Sequence, residues 1–107
     1  MLVINRFRVA EAEAERFRAD LESAHALLAA RPGYVDGMVG RNVDDPTLWV
    51  LQTRWRNVGS YRRALSSYDV KVHAVEVLAQ AIDEPSAYEV VGDDDETMNT
   101  AVPRNLD

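Results

Sequence analysis

The sequence predicts a single α+β domain whose elements follow the order β-α-β-β-α-β. Three observations lead to this fold class. A long amphipathic helical segment stands between two strand-like segments, two β-rich segments follow each other across a short turn, and a second helical region precedes a last β-rich segment. With 107 residues and 47% hydrophobic content, the chain is long enough for one hydrophobic core and too short for two.

The first strand, predicted over residues 2–9, carries a polar side chain on its apolar face. Side chains alternate along a strand, so Asn5 shares a face with Val3, Phe7 and Val9. A buried amide without hydrogen-bond partners costs about 1 to 3 kcal/mol. Asn5 is therefore either tied into the fold or faces a cavity in which a ligand supplies the partner.

The first helix is predicted over residues 11–30, and Arg31-Pro32-Gly33 ends it. Residues 34–43 favour a strand, in which Gly37 and Gly40 indicate a bulge or a close approach of the backbone. Residues 47–56 alternate as the partner strand of a hairpin, across a turn at residues 44–46. The apolar stripe of the helix consists of Ala14, Phe17, Leu21, Ala24 and Leu28.

The second helical region is predicted in two parts. Asn57 caps a short helix with an inward stripe of Val58, Tyr61 and Leu65, and a further helix spans residues 69–82. A last strand covers residues 86–91. This order is the ferredoxin-like pattern, an antiparallel sheet covered by helices on one face.

The other face of the predicted sheet is too apolar to remain in water. Its residues include Leu2, Ile4, Leu48 and Val50. Because an isolated chain would expose an apolar patch, we expect a homodimer in which two sheets pack face to face as a dimeric α+β barrel. The expected rim of that interface consists of Arg6, Arg8, Arg54 and Arg56.

The composition excludes several classes of function. The chain has no cysteine, which excludes disulfides, thiolate catalysis and metal ligation by sulfur, and suits a reducing, cytoplasmic location. No apolar run approaches the roughly 20 residues that cross a bilayer, and the start of the sequence does not have the pattern of a signal peptide. We therefore expect no membrane association.

The net charge of -6 is concentrated at the end of the chain. Residues 93–107 hold five acids and one base, a charge of -4, which leaves -2 for residues 1–92. Since no basic stripe is present, we expect no nucleic-acid partner. We predict one domain over residues 1–92 and an acidic, disordered tail over residues 93–107.

The two histidines differ in their predicted positions. No metal-ligand spacing is present, so we expect no metal site. His73 lies at the border of an apolar helical stripe, where it is either hydrogen-bonded at the edge of the core or aimed into the cavity faced by Asn5. His25 is interpreted as structural. The aromatic residues form the core by default, and several could wall a pocket for a flat ligand.

Four segments, taken together, resemble the antibiotic biosynthesis monooxygenase family, which consists of small dimeric ferredoxin-like proteins. They are Val3-Ile4-Asn5-Arg6-Phe7, Arg31-Pro32-Gly33-Tyr34, residues 48–55 and Tyr61. The resemblance covers about residues 1–91. Family members include cofactor-independent oxygenases that convert aromatic polyketides to quinones, haem-degrading monooxygenases, and proteins of other function.

The haem-degrading branch is similar to this chain at two positions and differs at a third. Its first-strand asparagine matches Asn5 and its haem-ligating histidine matches His73, which implies an axial ligand at His73 if haem binds. Its tryptophan on the short helix corresponds to Ala64 here. That difference argues against haem degradation, although Tyr61 or Tyr68 could fill part of the space.

The quinone-forming branch implies a site that needs no tightly bound cofactor. A deprotonated phenolic substrate can itself pass an electron to oxygen, so the protein supplies deprotonation and anion stabilisation. Asn5 would donate to the anion and His73 would act as the base. The residues expected to bind the substrate are Phe7, Trp49, Trp55, Tyr61 and Ala64.

Three functions follow from these observations. The first is a small monooxygenase that acts on an aromatic or polyketide-like substrate without a cofactor. The second is a haem-binding or haem-degrading monooxygenase, and the third is a non-catalytic dimeric domain that binds a small ligand. Both enzyme hypotheses predict a pocket between sheet and helices, lined by Asn5 and His73, whereas the third predicts that Asn5 is bonded to the backbone.

Overall fold

A computed structural model describes residues 1–92, and the predicted tail at residues 93–107 lies outside the described residues. Its elements are β1 (Leu2–Arg8), α1 (Ala14–Ala29), β2 (Tyr34–Arg41), β3 (Leu48–Trp55), α2 (Val58–Ser66), α3 (Tyr68–His73), α4 (Val75–Leu78) and β4 (Ala87–Tyr88). A short 3-10 turn at Glu11–Glu13 precedes α1. The ferredoxin-like α+β fold is therefore confirmed. Within residues 1–92, no helix has the length and apolar character needed to cross a bilayer.

The four strands form one antiparallel sheet in the order β2-β3-β1-β4. Across β1 and β3, Asn5 lies opposite Leu51 and Phe7 opposite Trp49. One face of the sheet is buried under the helices and is called the inner face here. Its buried residues on β1 and β3 are Val3, Phe7, Trp49, Leu51, Thr53 and Trp55.

Helix α1 supplies most of the layer that covers the inner face. Its buried residues are Phe17, Leu21, Ala24 and Leu28, as the apolar stripe predicted, whereas Ala14 is half-buried. In α2, Asn57 is the predicted cap, since its Oδ1 accepts a 2.9 Å hydrogen bond from the Ser60 backbone. The predicted inward stripe of α2 is wrong at Val58, which is exposed. Ser60 and Ala64 are buried instead.

The second half of the chain is less regular than predicted. The helical region has three pieces rather than two, because a further break falls at Ala74 between α3 and α4. The last strand has only two residues rather than six. The segment before it still follows β1, through hydrogen bonds from Ile82 N to Arg6 O and from Ile4 N to Ser86 O. Pro85 has no N–H to donate, which prevents a continuous ladder here.

Strand β2 has a bulge at Val35, which is the extra residue between the pairs formed by Tyr34 and Asp36. The predicted bulge at Gly37 or Gly40 is therefore absent, and the alternative prediction, a close backbone approach, is confirmed at Gly37. A Cβ on Gly37 would lie 2.7 Å from the Gln52 carbonyl oxygen.

The outer face of the sheet carries the apolar residues that the alternation predicted. Leu2, Ile4, Leu48 and Val50 are half-buried there, and Met38 is 60% exposed. Ion pairs at the margin of this face link strands and loops within one chain. They are Arg6–Glu84, Arg8–Asp45 and Arg54–Asp36, each at 2.7 Å.

Candidate functional site

Asn5 lies on the inner face of β1, between the buried residues Val3 and Phe7. Its side chain is half-buried, and among residues 1–92 it makes no hydrogen bond. The β1–β3 register places it opposite Leu51 and diagonal to Trp49. A carboxamide thus stands in an apolar setting with both its donor and its acceptor available.

Trp49 provides a second unpartnered polar atom on the inner face. The residue is 5% exposed, and its indole Nε1 is buried without a hydrogen-bond partner in the described part of the chain. Diagonal neighbours across two strands lie about 7 to 8 Å apart. The amide of Asn5 and the indole N–H of Trp49 therefore belong to one small region of the sheet.

Phe7, Phe17 and Trp49 form a first aromatic cluster at this end of the sheet. The ring centroids of Phe7 and Phe17 are 5.1 Å apart, and those of Phe17 and Trp49 are 5.7 Å apart in an edge arrangement. The Arg41 guanidinium lies 5.0 Å above the Trp49 ring. The predicted substrate-binding residues Phe7 and Trp49 are thus in one cluster.

Tyr34, Trp55 and Tyr61 form a second aromatic cluster at the other end of β3. Trp55 is buried and donates a 2.8 Å hydrogen bond from Nε1 to Thr53 Oγ1. Tyr34 packs against it edge-on at 5.5 Å, and Tyr61 packs at 5.6 Å. Ala64, the position that corresponds to the tryptophan of the haem-degrading branch, is buried in α2. Trp55 and Tyr61 are therefore together, apart from Trp49.

His73 is the last residue of α3, beside the break at Ala74, and its side chain is exposed. It has no hydrogen bond or ion pair within residues 1–92. A shared cavity of Asn5 and His73 stays a prediction. As a haem ligand, the imidazole is free to coordinate, but the alanine at position 64 offers no aromatic plane. Of these two features, only the exposed imidazole fits haem.

His25 has a partner that the sequence analysis missed. Its Nε2 lies 2.7 Å from Tyr34 Oη, and the two residues are nine positions apart. Burial lowers the pKa of His25, and burial together with the nearby Asp36 carboxylate raises the pKa of Tyr34. The signal was in the sequence, because the turn at residues 31–33 reverses the chain and brings the end of α1 beside the start of β2.

A cavity of about 390 Å³ opens where β1 ends and α1 begins. Neither Asn5 nor His73 lines it. Its lining residues are Arg8, Val9, Ala10, Glu13, Arg16, Phe17, Asp20 and Gln80. Phe17 belongs to the first aromatic cluster, so the cavity adjoins that cluster. Its volume lies in the range of small-molecule sites, about 300 to 1,000 Å³.

The described part of the chain contains no group of three or more histidine, aspartate and glutamate side chains placed to hold a metal ion. The ion pairs of Arg6, Arg8 and Arg54 lie around the outer face, away from the apolar surroundings of Asn5. Hydrogen bonds from Thr47 and Arg8 lower the pKa of Asp45 to about 2. Directly beside and opposite Asn5, the described residues of the inner face are apolar or aromatic.

The sequence profile of the antibiotic biosynthesis monooxygenase family matches residues 1–76, and the chain therefore belongs to this family. No curated protein shows significant similarity to the chain. The structure is similar to that of SnoaB, a cofactor-independent oxygenase from Streptomyces nogalater, with 28% sequence identity and a TM-score of 0.66. The alignment covers 85% of this chain and 95% of SnoaB.

Two more distant structures share the fold. One is a Nitrosomonas europaea protein named for the same family, with 18% identity, a TM-score of 0.68, and coverage of 86% of this chain and 90% of that one. The other is Rv0793 from Mycobacterium tuberculosis, with 21% identity, a TM-score of 0.63, and coverage of 80% and 86%. These two likenesses show that the fold is shared.

Proposed function

We propose that the protein is a cofactor-independent monooxygenase that acts on an aromatic, polyketide-like phenol. Membership of the antibiotic biosynthesis monooxygenase family supports a small monooxygenase, and the likeness to SnoaB supports chemistry without a cofactor. The substrate binds at the inner face, beside Asn5 and the first aromatic cluster. The substrate reaches this site through the adjoining 390 Å³ cavity.

The unpartnered amide of Asn5 is the observation that carries this proposal. A purely structural asparagine on an apolar strand face would be bonded to the backbone, because polar groups inside a fold are usually paired. Within residues 1–92 the Asn5 side chain has no such bond. A ligand oxygen would supply the missing partner, and the N–H of Trp49 would supply a second donor to the same ligand.

The chemistry requires a phenolate held in an apolar site. Loss of the phenolic proton makes the substrate easier to oxidise, and one electron then passes to molecular oxygen. The resulting superoxide and substrate radical combine into a peroxide anion. This anion takes up the proton that the substrate lost, and the hydroperoxide then loses water to leave a new carbonyl group. The protein's contribution is to bind the anion through fixed donors, which are most effective where water is excluded.

His73 is the base in this proposal. Its imidazole is exposed and makes no hydrogen bond within the described residues, so it can exchange protons with both a ligand and solvent. The break at Ala74 lies next to it. A histidine at a helix break can be reoriented by a bound ligand without unfolding a long helix.

Oxygen uptake with a panel of polyphenols tests the proposal. Asn5→Ala should lower kcat/KM on the best substrate by about 100-fold, the usual cost of losing one anion-binding donor. Gln52→Ala is the matched control, because Gln52 carries a half-buried amide on the outer face of the adjacent strand. If oxygen uptake by Asn5→Ala equals that of Gln52→Ala and of the parent protein, Asn5 does not bind the substrate anion.

The outer face is the proposed site of homodimer formation. Its centre is apolar and partly exposed, and its margins hold ion pairs that are satisfied within one chain. A second copy of the same face would cover these residues by sheet-on-sheet packing. The inner faces and the helices that cover them would then point away from the interface, with one Asn5 in each subunit.

A further inference from the structure

His25 is hydrogen-bonded to Tyr34, which belongs to the second aromatic cluster. The proposed oxygenase chemistry uses neither residue. His25 Nε2 and Tyr34 Oη are 2.7 Å apart, and their ring centroids are 5.9 Å apart. Both side chains are half-buried. A short bond of this kind lets a proton move from a phenol to an imidazole without any change in the position of the rings.

Gly37 provides the space for this pair. A Cβ at position 37 would lie 2.8 Å from Tyr34 Oη and 2.9 Å from His25 Nε2, closer than side-chain carbons approach such atoms. The rings of His25 and Tyr34 therefore meet above Gly37, where β2 has no side chain. Any side chain at position 37 would displace one of them.

Tyr34 is also the end of a continuous row of aromatic rings. Its ring is 5.5 Å from that of Trp55, at an interplanar angle of 88°, and Trp55 is 5.6 Å from Tyr61. Trp55 is 2% exposed, so solvent does not separate the rings. Electrons pass readily between aromatic rings in direct contact. The row therefore links the interior of the protein to the His25–Tyr34 pair.

The two tyrosines that flank Trp55 differ in one respect. Oxidation of tyrosine at neutral pH requires loss of its phenolic proton, because the oxidised phenol is a very strong acid. Tyr34 has His25 as an acceptor, whereas the hydroxyl of Tyr61 has no hydrogen-bond partner within residues 1–92. Of these two residues, only Tyr34 is arranged to become a stable neutral radical.

We propose that Trp55, Tyr34 and His25 form a proton-coupled redox relay that removes one-electron oxidising equivalents from the interior of the protein. A one-electron oxidant takes an electron from Trp55 to give its radical cation. Tyr34 reduces that cation, and the phenolic proton moves to His25 Nε2. The products are neutral Trp55, the neutral Tyr34 radical and protonated His25. A small reductant such as ascorbate then returns one electron, and His25 returns the proton.

The charge state of His25 suits this role. Burial lowers the pKa of His25 against the opposing effect of the Glu22 carboxylate, so the ring is neutral at pH 7 with one nitrogen free to accept a proton. Burial and the carboxylate of Asp36 both raise the pKa of Tyr34, which keeps the phenol protonated until it is oxidised. A neutral acceptor thus faces a protonated donor.

The relay goes beyond the proposed function and does not depend on the identity of the substrate. In an oxygenase, the oxidant would be a substrate or oxygen radical that escapes productive recombination. In the laboratory, a photochemical oxidant replaces it. The relay can therefore be tested in the protein without substrate. The result of that test does not depend on whether the protein oxidises a phenolic substrate.

The absence of cysteine makes a site-specific oxidant straightforward to attach. Arg62→Cys places a single thiol on the exposed position next to Tyr61, where a ruthenium polypyridyl label can be coupled. Flash-quench oxidation followed by freeze-quench electron paramagnetic resonance then identifies the radical. We expect a tyrosyl signal that Tyr34→Phe abolishes and that Tyr61→Phe leaves in place, with a slower rise in Trp55→Phe.

The proton acceptor is tested with His25→Gln, which keeps a hydrogen-bond acceptor but cannot hold the proton. The radical yield should fall on the order of tenfold or more, since an amide is a far weaker base than imidazole. Circular dichroism and a thermal melt verify that each variant is folded. A signal that persists in Tyr34→Phe, or a yield unchanged in folded His25→Gln, overturns the relay.

Discussion

Gly33 lies directly against the side chain of Ser60. A Cβ on Gly33 would clash with both Cβ and Oγ of Ser60, and the backbone φ of Gly33 is +89°, in the left-handed region that favours glycine. The contact joins the turn after α1 to the first turn of α2, near the buried Trp55. It holds together the end of the sheet that carries the second aromatic cluster.

Replacement of Gly33 should therefore destabilise the fold through two effects, backbone strain and a steric clash. We expect Gly33→Ala to lower the free energy of unfolding by about 2 to 4 kcal/mol, as measured by chemical denaturation. Gly92→Ala is the control for strain alone, because Gly92 has φ +81° and no atom within 4 Å of the added Cβ. If both variants lose the same free energy of unfolding, the contact with Ser60 does not contribute to the effect.

Asn5 offers a test in which stability and activity change in opposite directions. Asn5→Leu places an apolar side chain among Val3, Phe7 and Leu51, so the free energy of unfolding should rise by about 0.5 to 2 kcal/mol. Polyphenol oxidation should be lost in the same variant. A destabilised Asn5→Leu protein would indicate that the amide has a structural bond that the apolar side chain cannot replace.

The ion pairs predict how stability depends on pH. A hydrogen bond from Arg6 lowers the pKa of Glu84 below its ordinary value of 4.5, and the pKa of Asp45 falls from 3.8 to about 2. Each folded-state pKa lies below the unfolded one, so each pair stabilises fully above the unfolded value and loses this stabilisation as the pH falls through the folded one.

Thermal melts of the parent, Glu84→Gln and Asp45→Asn across acidic pH measure the two contributions. The Tm difference between the parent and Glu84→Gln should shrink once the pH falls below 4.5, whereas the difference for Asp45→Asn should persist below 3.8 and vanish only towards pH 2. Both differences should be small, since these pairs are exposed. Differences that grow on acidification would contradict the assignment.

Homodimer formation through the outer face is tested by a charge at its centre. Val50→Asp should convert a dimer into a monomer in light scattering at micromolar concentration, because an unpaired carboxylate would be buried in an apolar interface. Val43→Asp introduces the same change on the hairpin loop, where Val43 is 95% exposed, and should leave the dimer intact. A parent protein that is monomeric under these conditions refutes the proposed interface.

Haem titration separates the two monooxygenase hypotheses. With a cofactor-independent enzyme we expect no sharp Soret band when haem is added to the purified protein. A sharp band that His73→Ala abolishes and His25→Ala retains would instead select the haem alternative with His73 as axial ligand. The two histidines are thus mutual controls, one exposed at a helix end and one half-buried on α1.

The alternation of side chains was enough to predict the sheet and the position of Asn5. Both depend on local periodicity, and the inner residues of β1 and β3 are buried as expected. The irregular features depend on contacts between distant segments. The bulge at Val35 and the two-residue β4 arise where β2 meets β3 and where the chain near Glu84 meets β1, and no local pattern indicates them.

In the candidate site, too, some features follow from local sequence patterns and others depend on contacts between distant segments. The sequence identified the aromatic residues, but their separation into two clusters follows from the register of β3, in which Trp49 and Trp55 lie six residues apart. The partner of His25 was missed because a hydrogen bond between a helix and the next strand depends on the geometry of the turn. The availability of the Asn5 amide also required the three-dimensional surroundings.

The two edge strands of the sheet, β2 and β4, affect whether the protein aggregates at high concentration. Strand β2 is interrupted by the bulge at Val35, and β4 is only two residues long and preceded by Pro85. Neither edge offers a long, flat row of free backbone groups to a neighbouring chain. Both features disfavour strand-by-strand growth into fibrils, whereas the proposed homodimer would use the broad outer face.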